Sequence, residues 1–189
     1  MLQFPNDEQY NFVGKTVDWF SLDNEFRFDK NNPRGWSKTD IKYRFNDHAF
    51  RMDIDMSEIT SGCEIYIGDS TTFGFGVNLE DTWSYKHHKL YGSDQYVNLA
   101  VSGAALDTVY RLLKYWIPVL KPSKIFILQP AYGRQEFIMN DGAGYVSANF
   151  RTIEIKTFGG HEITEQVIFE DKLFKEYVSG NLQVQITKS

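Results

Sequence analysis

The alternation of strand-like and helix-like segments in the middle of this sequence constrains its fold more than any other feature. Short apolar runs predict buried strands, and the longer segments between them have the apolar periodicity of helices. Strands that alternate with helices favour a parallel sheet with right-handed crossovers, so the sequence predicts an α/β fold. The predicted strands lie at residues 63–68, 96–103 and 124–130, and the predicted helices at residues 78–91 and 104–121.

Polar and small residues follow the first two predicted strands directly. Gly68 ends the first strand and is followed by Asp69 and Ser70, and Gly103 ends the second. Ligand sites in open parallel sheets lie beyond the carboxyl ends of the strands, so these residues and residues 129–136 are expected to converge. A serine at such an edge is a candidate nucleophile if it has a base and N–H donors for an oxyanion. Asp69 is expected to tie down the loop by accepting backbone N–H groups rather than to act as a base.

The flanking regions are less regular, and they divide the chain into two predicted parts. Residues 1–60 are predicted to form an irregular N-terminal arm with one half-exposed strand at residues 41–45, and residues 61–189 to form the α/β domain. Within that domain, residues 138–150 are predicted to be a mobile loop over the site. A strand at residues 152–158 and a weakly amphipathic helix at residues 162–178 are predicted to follow.

Composition and charge exclude several classes of function. The net charge of −5 and the absence of a basic block argue against a nucleic-acid partner. Cys63 is the only cysteine, which excludes an internal disulfide and a thiolate-rich metal site; it is expected to be a small core residue. No apolar run approaches the roughly 18 residues that span a bilayer. No signal peptide is visible at the N-terminus, so a cytoplasmic location is expected.

Three motifs together resemble those of a known enzyme family. The stretches "IGDSTTFGFGVNLEDTW", "VNLAVSGAALDT" and "KPSKIFIL" are similar to the SGNH hydrolases, also called the GDSL esterase/lipase family. The likeness covers roughly residues 63–130, about a third of the chain. It implies a three-layer α/β/α, flavodoxin-like fold. The segment "YRFNDHAFRMD" at residues 43–53 also resembles the short lead-in that precedes the motif in some members.

The resemblance assigns roles to individual residues. It implies that Ser70 is the nucleophile, with its own N–H in the oxyanion hole, and that the N–H of Gly103 also faces the oxyanion. A third family motif, Gly-x-Asn-Asp, has no counterpart here, where the sequence reads "LQPAYGRQEF". Gln129, Tyr132 and Arg134 are the candidate binding residues in that region, and Arg134 could stabilise an anion or hold a substrate carboxylate.

The family's base, an Asp-x-x-His pair near the C-terminus, is absent from this sequence. His161 is the only histidine after the three motifs and is the candidate for a displaced base, the alternative being a helix-start residue. His48, in the lead-in segment, could approach the site but is expected to have no part in it. His87 is expected to be packed, and His88 to face solvent. The missing pair predicts either that the chain stops short of a complete family domain or that catalysis has been lost.

These observations leave two kinds of function. The first is a serine esterase that hydrolyses an acyl or acetyl ester of a sugar, a lipid or another small molecule through an acyl-enzyme on Ser70, without a metal or an organic cofactor. The second is an inactive relative that binds carbohydrate or acyl ligands, or a structural protein whose aromatic-rich arm makes the contacts. The sequence specifies neither the substrate nor the oligomeric state.

Overall fold

The computed structural model describes residues 3–18, 40–130, 134–138 and 145–149, and it has a mixed α/β architecture. Short 3₁₀ turns at Met56–Glu58 and Leu79–Asp81 accompany the regular elements. The strands are β1 (Thr16–Val17), β2 (Tyr43–Arg44), β3 (Glu64–Ile67), β4 (Tyr96–Asn98), β5 (Lys124–Ile127), β6 (Arg134–Ile138) and β7 (Tyr145–Asn149). The α-helices are α1 (Asp7–Tyr10), α2 (Ser70–Phe73), α3 (Trp83–Tyr91) and α4 (Leu106–Leu120).

A three-stranded parallel sheet with the order β4-β3-β5 forms the centre of the described region. Ile65 of β3 lies opposite Val97 on one side and Ile125 on the other. Helices α2 and α3 lie in the crossover from β3 to β4, and α4 lies in the crossover from β4 to β5. All four residues of β3 are buried, as expected of a central parallel strand. The predicted α/β class with a parallel sheet is therefore confirmed.

Helix α4 forms the main core with the sheet. Its residues Val109, Leu112 and Trp116 are buried with Ile65 and Val97 of the strands. These apolar residues recur at helical spacing, so one face of the helix removes a continuous apolar stripe from water. Burying each large apolar side chain contributes about 1.5–3 kcal/mol, so this face accounts for the docking of the helix.

The helix predicted over residues 78–91 is divided in the structure. A 3₁₀ turn at Leu79–Asp81 comes first, and α3 begins only at Trp83, with Thr82 as its N-cap. The Thr82 hydroxyl accepts a hydrogen bond from the N–H of Tyr85 at 3.2 Å. Asn78, the first residue of the predicted helix, is of a type that commonly caps helices, but its side-chain oxygen instead accepts the Lys42 N–H at 2.9 Å. A contact with the arm has therefore displaced the start of the helix.

The described part of the arm packs against the α/β region. Strands β1 and β2 pair antiparallel over two residues, and Ile41, Tyr43 and Phe45 are buried in one apolar cluster with Phe73 and Ala100. The predicted alternation at residues 41–45 is thus present, although only Tyr43–Arg44 forms a strand. This second cluster fastens the arm to the sheet region.

Strands β6 and β7 form an antiparallel hairpin in which Glu136 lies opposite Ser147. The prediction of a mobile loop over residues 138–150 is therefore wrong at the residues of β7 and at Ile138. Both segments contain residue types that are enriched in strands, "FI" at 137–138 and "YV" at 145–146. These residues indicate strands, and the loop prediction overlooked them. The strand predicted at 152–158 and the helix predicted at 162–178 lie outside the described residues, as does most of the C-terminal third of the predicted 61–189 domain.

Among the described helices, none combines the length and apolar character that crossing a membrane requires.

A buried carboxylate lies at the amino end of the sheet, opposite the end that carries Ser70. Glu64 accepts hydrogen bonds from Lys124 Nζ at 2.7 Å and from the Ser93 N–H at 3.3 Å, and it lies 3.1 Å from His88 Nδ1. His88 is thus largely buried against Glu64, and the expectation that it faces solvent is wrong. Burial alone would raise the pKa of Glu64, but the hydrogen bonds from Lys124 and His88 hold that pKa below its ordinary value of 4.5.

We expect Glu64→Gln to lower the free energy of unfolding at pH 7 by roughly 1–3 kcal/mol, because a neutral amide accepts these bonds less strongly than a carboxylate. Since the pKa of Glu64 is lower in the folded state, its contribution is present above pH 4.5 and is lost as the pH falls through the folded pKa. Urea unfolding at pH 7 and near pH 3 measures this, and the gap between the two proteins should shrink at the lower pH. The exposed Glu80→Gln is the control, and an equal effect of both substitutions at pH 7 would contradict the prediction.

Candidate functional site

Ser70 lies immediately beyond the carboxyl end of the central strand β3 and begins the short helix α2. Asp69 is the N-cap of this helix, and its Oδ1 accepts the Thr71 N–H at 3.0 Å. Asp69 therefore ties the loop down as the sequence predicts. Ser70 itself is half-buried, and within the part of the chain that the structure describes, no hydrogen bond engages its hydroxyl or its N–H.

The backbone at Gly68 joins the loops that follow all three parallel strands. Its carbonyl accepts the Val101 N–H at 3.1 Å, and the neighbouring Ile67 carbonyl accepts the Leu128 N–H at 3.0 Å. A Cβ atom at Gly68 would lie only 2.7 Å from the Leu128 carbonyl oxygen and would also overlap Thr72 Oγ1. Glycine is thus required at this position by the close approach of backbone rather than by an unusual dihedral angle.

We expect Gly68→Ala to lower the free energy of unfolding by about 1–3 kcal/mol, because the added methyl group must displace the Leu128 backbone. Gly76→Ala is the comparison, since its Cβ would meet open space and only its φ of +67° is strained. That strain costs about 1 kcal/mol. Urea unfolding measures both variants, and a smaller loss for Gly68→Ala than for Gly76→Ala would refute the proposed backbone clash.

The second loop of the site follows β4 and contains Gly103, whose φ is +71°. The Ala104 N–H donates to the Val101 carbonyl at 3.1 Å, which closes a turn with Ser102 and Gly103 at its centre. A positive φ at the third position of such a turn favours glycine. Among the described residues, none accepts the Gly103 N–H.

A buried asparagine connects this second loop with the helix that carries Ser70. The Asn98 side chain accepts the Ala100 N–H at 3.0 Å and donates to the Thr72 carbonyl at 3.4 Å. Together with the bond from Val101 to Gly68, this contact holds the loops after β3 and β4 side by side. Ser70 and Gly103 therefore belong to the same edge of the sheet.

The remaining predicted site residues differ in how the structure places them. Arg134 of β6 lies 3.2 Å from Asp69, with its Nη1 donating to Oδ2, so the hairpin supports the residue that precedes Ser70. Gln129 is exposed just beyond β5. Tyr132 and His161 lie outside the described residues. The idea that Arg134 holds a substrate carboxylate stays a prediction.

Each of the three described histidines contacts residues other than Ser70. His48 stacks on Phe4 with ring centroids 5.4 Å apart and meets the edge of Trp116. His87 Nδ1 lies 3.0 Å from the Tyr66 hydroxyl, so the prediction of a packed histidine is confirmed for it. His88 lies against Glu64, as described above.

The cysteine and the tyrosine of the central strand region are packing residues. Cys63 is buried in the main core as predicted, and burial raises the pKa of its thiol to about 11. Burial also raises the pKa of Tyr66 to about 12, with the nearby Glu64 charge as a further cause. Both groups therefore remain protonated at neutral pH. Within the described ranges, no cluster of three or more His, Cys, Asp or Glu side chains is arranged to hold a metal ion.

Arg51 is a structural residue of the site that sequence reasoning missed. It is buried, and its guanidinium donates to the carbonyls of Phe73, the last residue of α2, and of Gly74, its C-cap. It donates also to the Lys42 carbonyl at 3.1 Å, and its Cζ lies over the Tyr43 ring, 4.1 Å from the ring centroid. The only signal in the sequence is a charged residue inside the apolar lead-in segment "HAFRMD".

The N-terminal segment also reaches the site, which no sequence pattern indicated. Arg111 of α4 donates to the carbonyls of Phe4 at 2.8 Å and Pro5 at 2.7 Å. The same guanidinium forms a bidentate ion pair with Glu136 of β6, with N–O distances of 2.7 and 2.8 Å. Arg111 thus holds together the N-terminal segment, helix α4 and the hairpin that carries Arg134.

Comparisons of this chain with protein-family models, with curated proteins and with solved structures found no match.

Proposed function

We propose that this protein is a serine esterase of the SGNH hydrolase type, in which Ser70 is the nucleophile. The observation that carries the proposal is a set of three polar groups at one edge of the sheet. They are the Ser70 hydroxyl, the Ser70 N–H and the Gly103 N–H, and within the described residues none of them is hydrogen-bonded. An attacking oxygen and two oxyanion donors are the groups that acyl transfer requires. The complete three-layer α/β/α fold is part of the same proposal.

The proposed reaction follows the order of other serine hydrolases. Ser70 Oγ attacks the ester carbonyl carbon and gives up its proton to a base, and the Ser70 and Gly103 N–H groups stabilise the resulting oxyanion. Collapse of the tetrahedral intermediate breaks the bond to the alcohol, which leaves with that proton and produces an acyl-enzyme. Water then attacks the acyl carbonyl, releases the carboxylic acid and restores the Ser70 hydroxyl. No metal or organic cofactor takes part in these steps.

The base in this proposal is His161. A histidine is the usual base because its unperturbed pKa is close to neutral pH. The three described histidines already contact Tyr66, Glu64 or the rings of Phe4 and Trp116, which supports a base from another part of the chain. The proposed substrates are acyl or acetyl esters of a sugar, a lipid or another small molecule.

Covalent labelling tests the nucleophile directly. The wild-type protein is incubated with a fluorophosphonate, and the modified residue is located by peptide mass spectrometry; hydrolysis of p-nitrophenyl acetate is measured in parallel. We expect one phosphonyl group on Ser70 and a loss of hydrolysis in proportion to the labelling. Neither labelling nor hydrolysis above the buffer rate would reject the esterase.

A second candidate, carbohydrate binding without catalysis, is favoured by one observation. A polar pocket of about 270 Å³ lies between residues 40–53 and the 3₁₀ turn at Leu79–Asp81, and its charged and amide side chains offer both donors and acceptors for sugar hydroxyl groups. Binding of a glycan array by the wild type and equally by Ser70→Ala, with no labelling of Ser70, would support this candidate over the esterase. The pocket is lined by Asp40, Lys42, Arg44, Arg51, Asp53, Asn78, Leu79 and Glu80.

A further inference from the structure

Two side-chain amides of the N-terminal segment hold the backbone just before Gly103. The Ser102 N–H donates to Gln9 Oε1 at 2.9 Å, and the Ser102 carbonyl accepts from Asn6 Nδ2 at 3.4 Å. Gln9 is fully buried and Ser102 nearly so. Residues more than 90 positions away in the sequence therefore hold both polar groups of the Ser102 backbone.

The two amides are themselves held in place. Asn6 Oδ1 accepts the Gln9 N–H at 2.9 Å, and Gln9 Nε2 donates to the Ala49 carbonyl at 3.2 Å. Arg111 binds the carbonyls of Phe4 and Pro5 immediately before Asn6. Since their side chains are bonded on both sides, Asn6 and Gln9 form a rigid support rather than a surface contact.

The direction of the Gly103 N–H depends on this support. The Ser102 carbonyl and the Gly103 N–H belong to one planar trans peptide, so they point in opposite directions. That peptide is the central one of the turn from Val101 to Ala104, and the two common turn types differ mainly in which way the central peptide faces. A hydrogen bond from Asn6 to the carbonyl therefore also sets the direction of the amide hydrogen.

We infer that Asn6 and Gln9 are positioning residues that aim the Gly103 N–H at the developing oxyanion. The inference rests on the proposed esterase, in which that N–H is one of the two oxyanion donors. It assigns the N-terminal segment a part in catalysis, although neither residue touches the reacting atoms.

Asn6→Asp tests this with little change to the fold. The aspartate keeps the oxygen that accepts the Gln9 N–H, because Asp and Asn cap helices about equally well, but it loses the donor to the Ser102 carbonyl. We expect kcat for p-nitrophenyl acetate to fall roughly three- to tenfold, the value of one hydrogen bond, with KM unchanged because the oxyanion exists only in the transition state. Asn11→Asp, the same change at an exposed position, is the control and should keep the wild-type kcat.

The amide of Gly103 provides a readout that does not need activity. In ¹⁵N NMR spectra, Asn6→Asp should shift the Gly103 amide resonance and change its hydrogen-exchange rate, whereas Asn11→Asp should not. Asn6→Ser keeps a capping oxygen, but its side chain is too short to reach Ser102, so it should give the same changes. It is the test variant if Asn6→Asp disturbs folding.

The outcomes separate this inference from the esterase itself. An unmoved Gly103 amide in both Asn6 variants overturns the inference, whether or not kcat falls. A moved amide with an unchanged kcat also overturns it. If the wild type lacks esterase activity, the proposed function fails, and with it the catalytic role of the two residues; a moved Gly103 amide would then still support their control of the peptide direction.

Discussion

Ser70→Ala is expected to hydrolyse p-nitrophenyl acetate at least about 10³-fold more slowly than the wild type, because it removes the attacking oxygen. The oxyanion donors are backbone groups, so they remain and leave a small residual rate. Stability should change little, since within the described region no hydrogen bond depends on the Ser70 hydroxyl. Steady-state kinetics of the two purified proteins, with their urea unfolding midpoints, provide the measurement.

Thr71→Ala is the matched control for this substitution. It removes the neighbouring hydroxyl, which belongs to an exposed residue, and it keeps the backbone N–H that Asp69 accepts. We expect its kcat/KM to remain within about twofold of the wild-type value, as for a group that makes no transition-state contact. A wild-type rate in Ser70→Ala, or equal losses in the two variants, would remove Ser70 from the mechanism.

Arg51→Met is expected to give the largest loss of stability, at least about 3 kcal/mol of the free energy of unfolding. Methionine has a similar length, but it leaves buried carbonyl groups of Phe73 and Gly74 without the guanidinium that now binds them. The stacking of the guanidinium on Tyr43 is lost as well. Because those carbonyls end the helix that begins with Ser70, esterase activity should decline together with stability.

Arg44→Met provides the comparison, since it makes the same chemical change seven residues earlier. Arg44 is half-exposed, and its guanidinium donates to the Met52 carbonyl and pairs with Asp55. Its loss should cost only about 1 kcal/mol, the typical value of partly exposed interactions. Urea unfolding of both variants decides the question, and similar losses would show that Arg51 has no special role.

The central sheet was predictable because local sequence patterns specify it. Strand β3 is short, is apolar after Glu64 and is followed by glycine, and helix α4 has apolar residues at helical spacing along its whole length. Both patterns follow from how side chains project from strands and helices, so they need no knowledge of distant contacts. The position of Ser70 at the carboxyl end of β3 follows from the same alternation.

The errors occurred where a distant contact overrides a local preference. Asn78 is a good N-cap, but its side chain bonds the Lys42 and Asp40 backbone, so Thr82 caps α3 instead. The β6–β7 hairpin was missed because its strands gain stability from pairing with each other, which a scan of single segments does not register.

The parallel α/β region and the serine at its edge follow from local sequence alone, since periodicity and strand-end residues are local properties. The surroundings of that serine come from tertiary contacts: Arg51 binds the end of α2, Arg134 binds Asp69, and the Asn6 and Gln9 amides bind the Ser102 backbone. These contacts join residues 22 to 96 positions apart. A buried polar group accepts whichever partner the packing brings within reach, so such pairings leave no periodic trace in the chain.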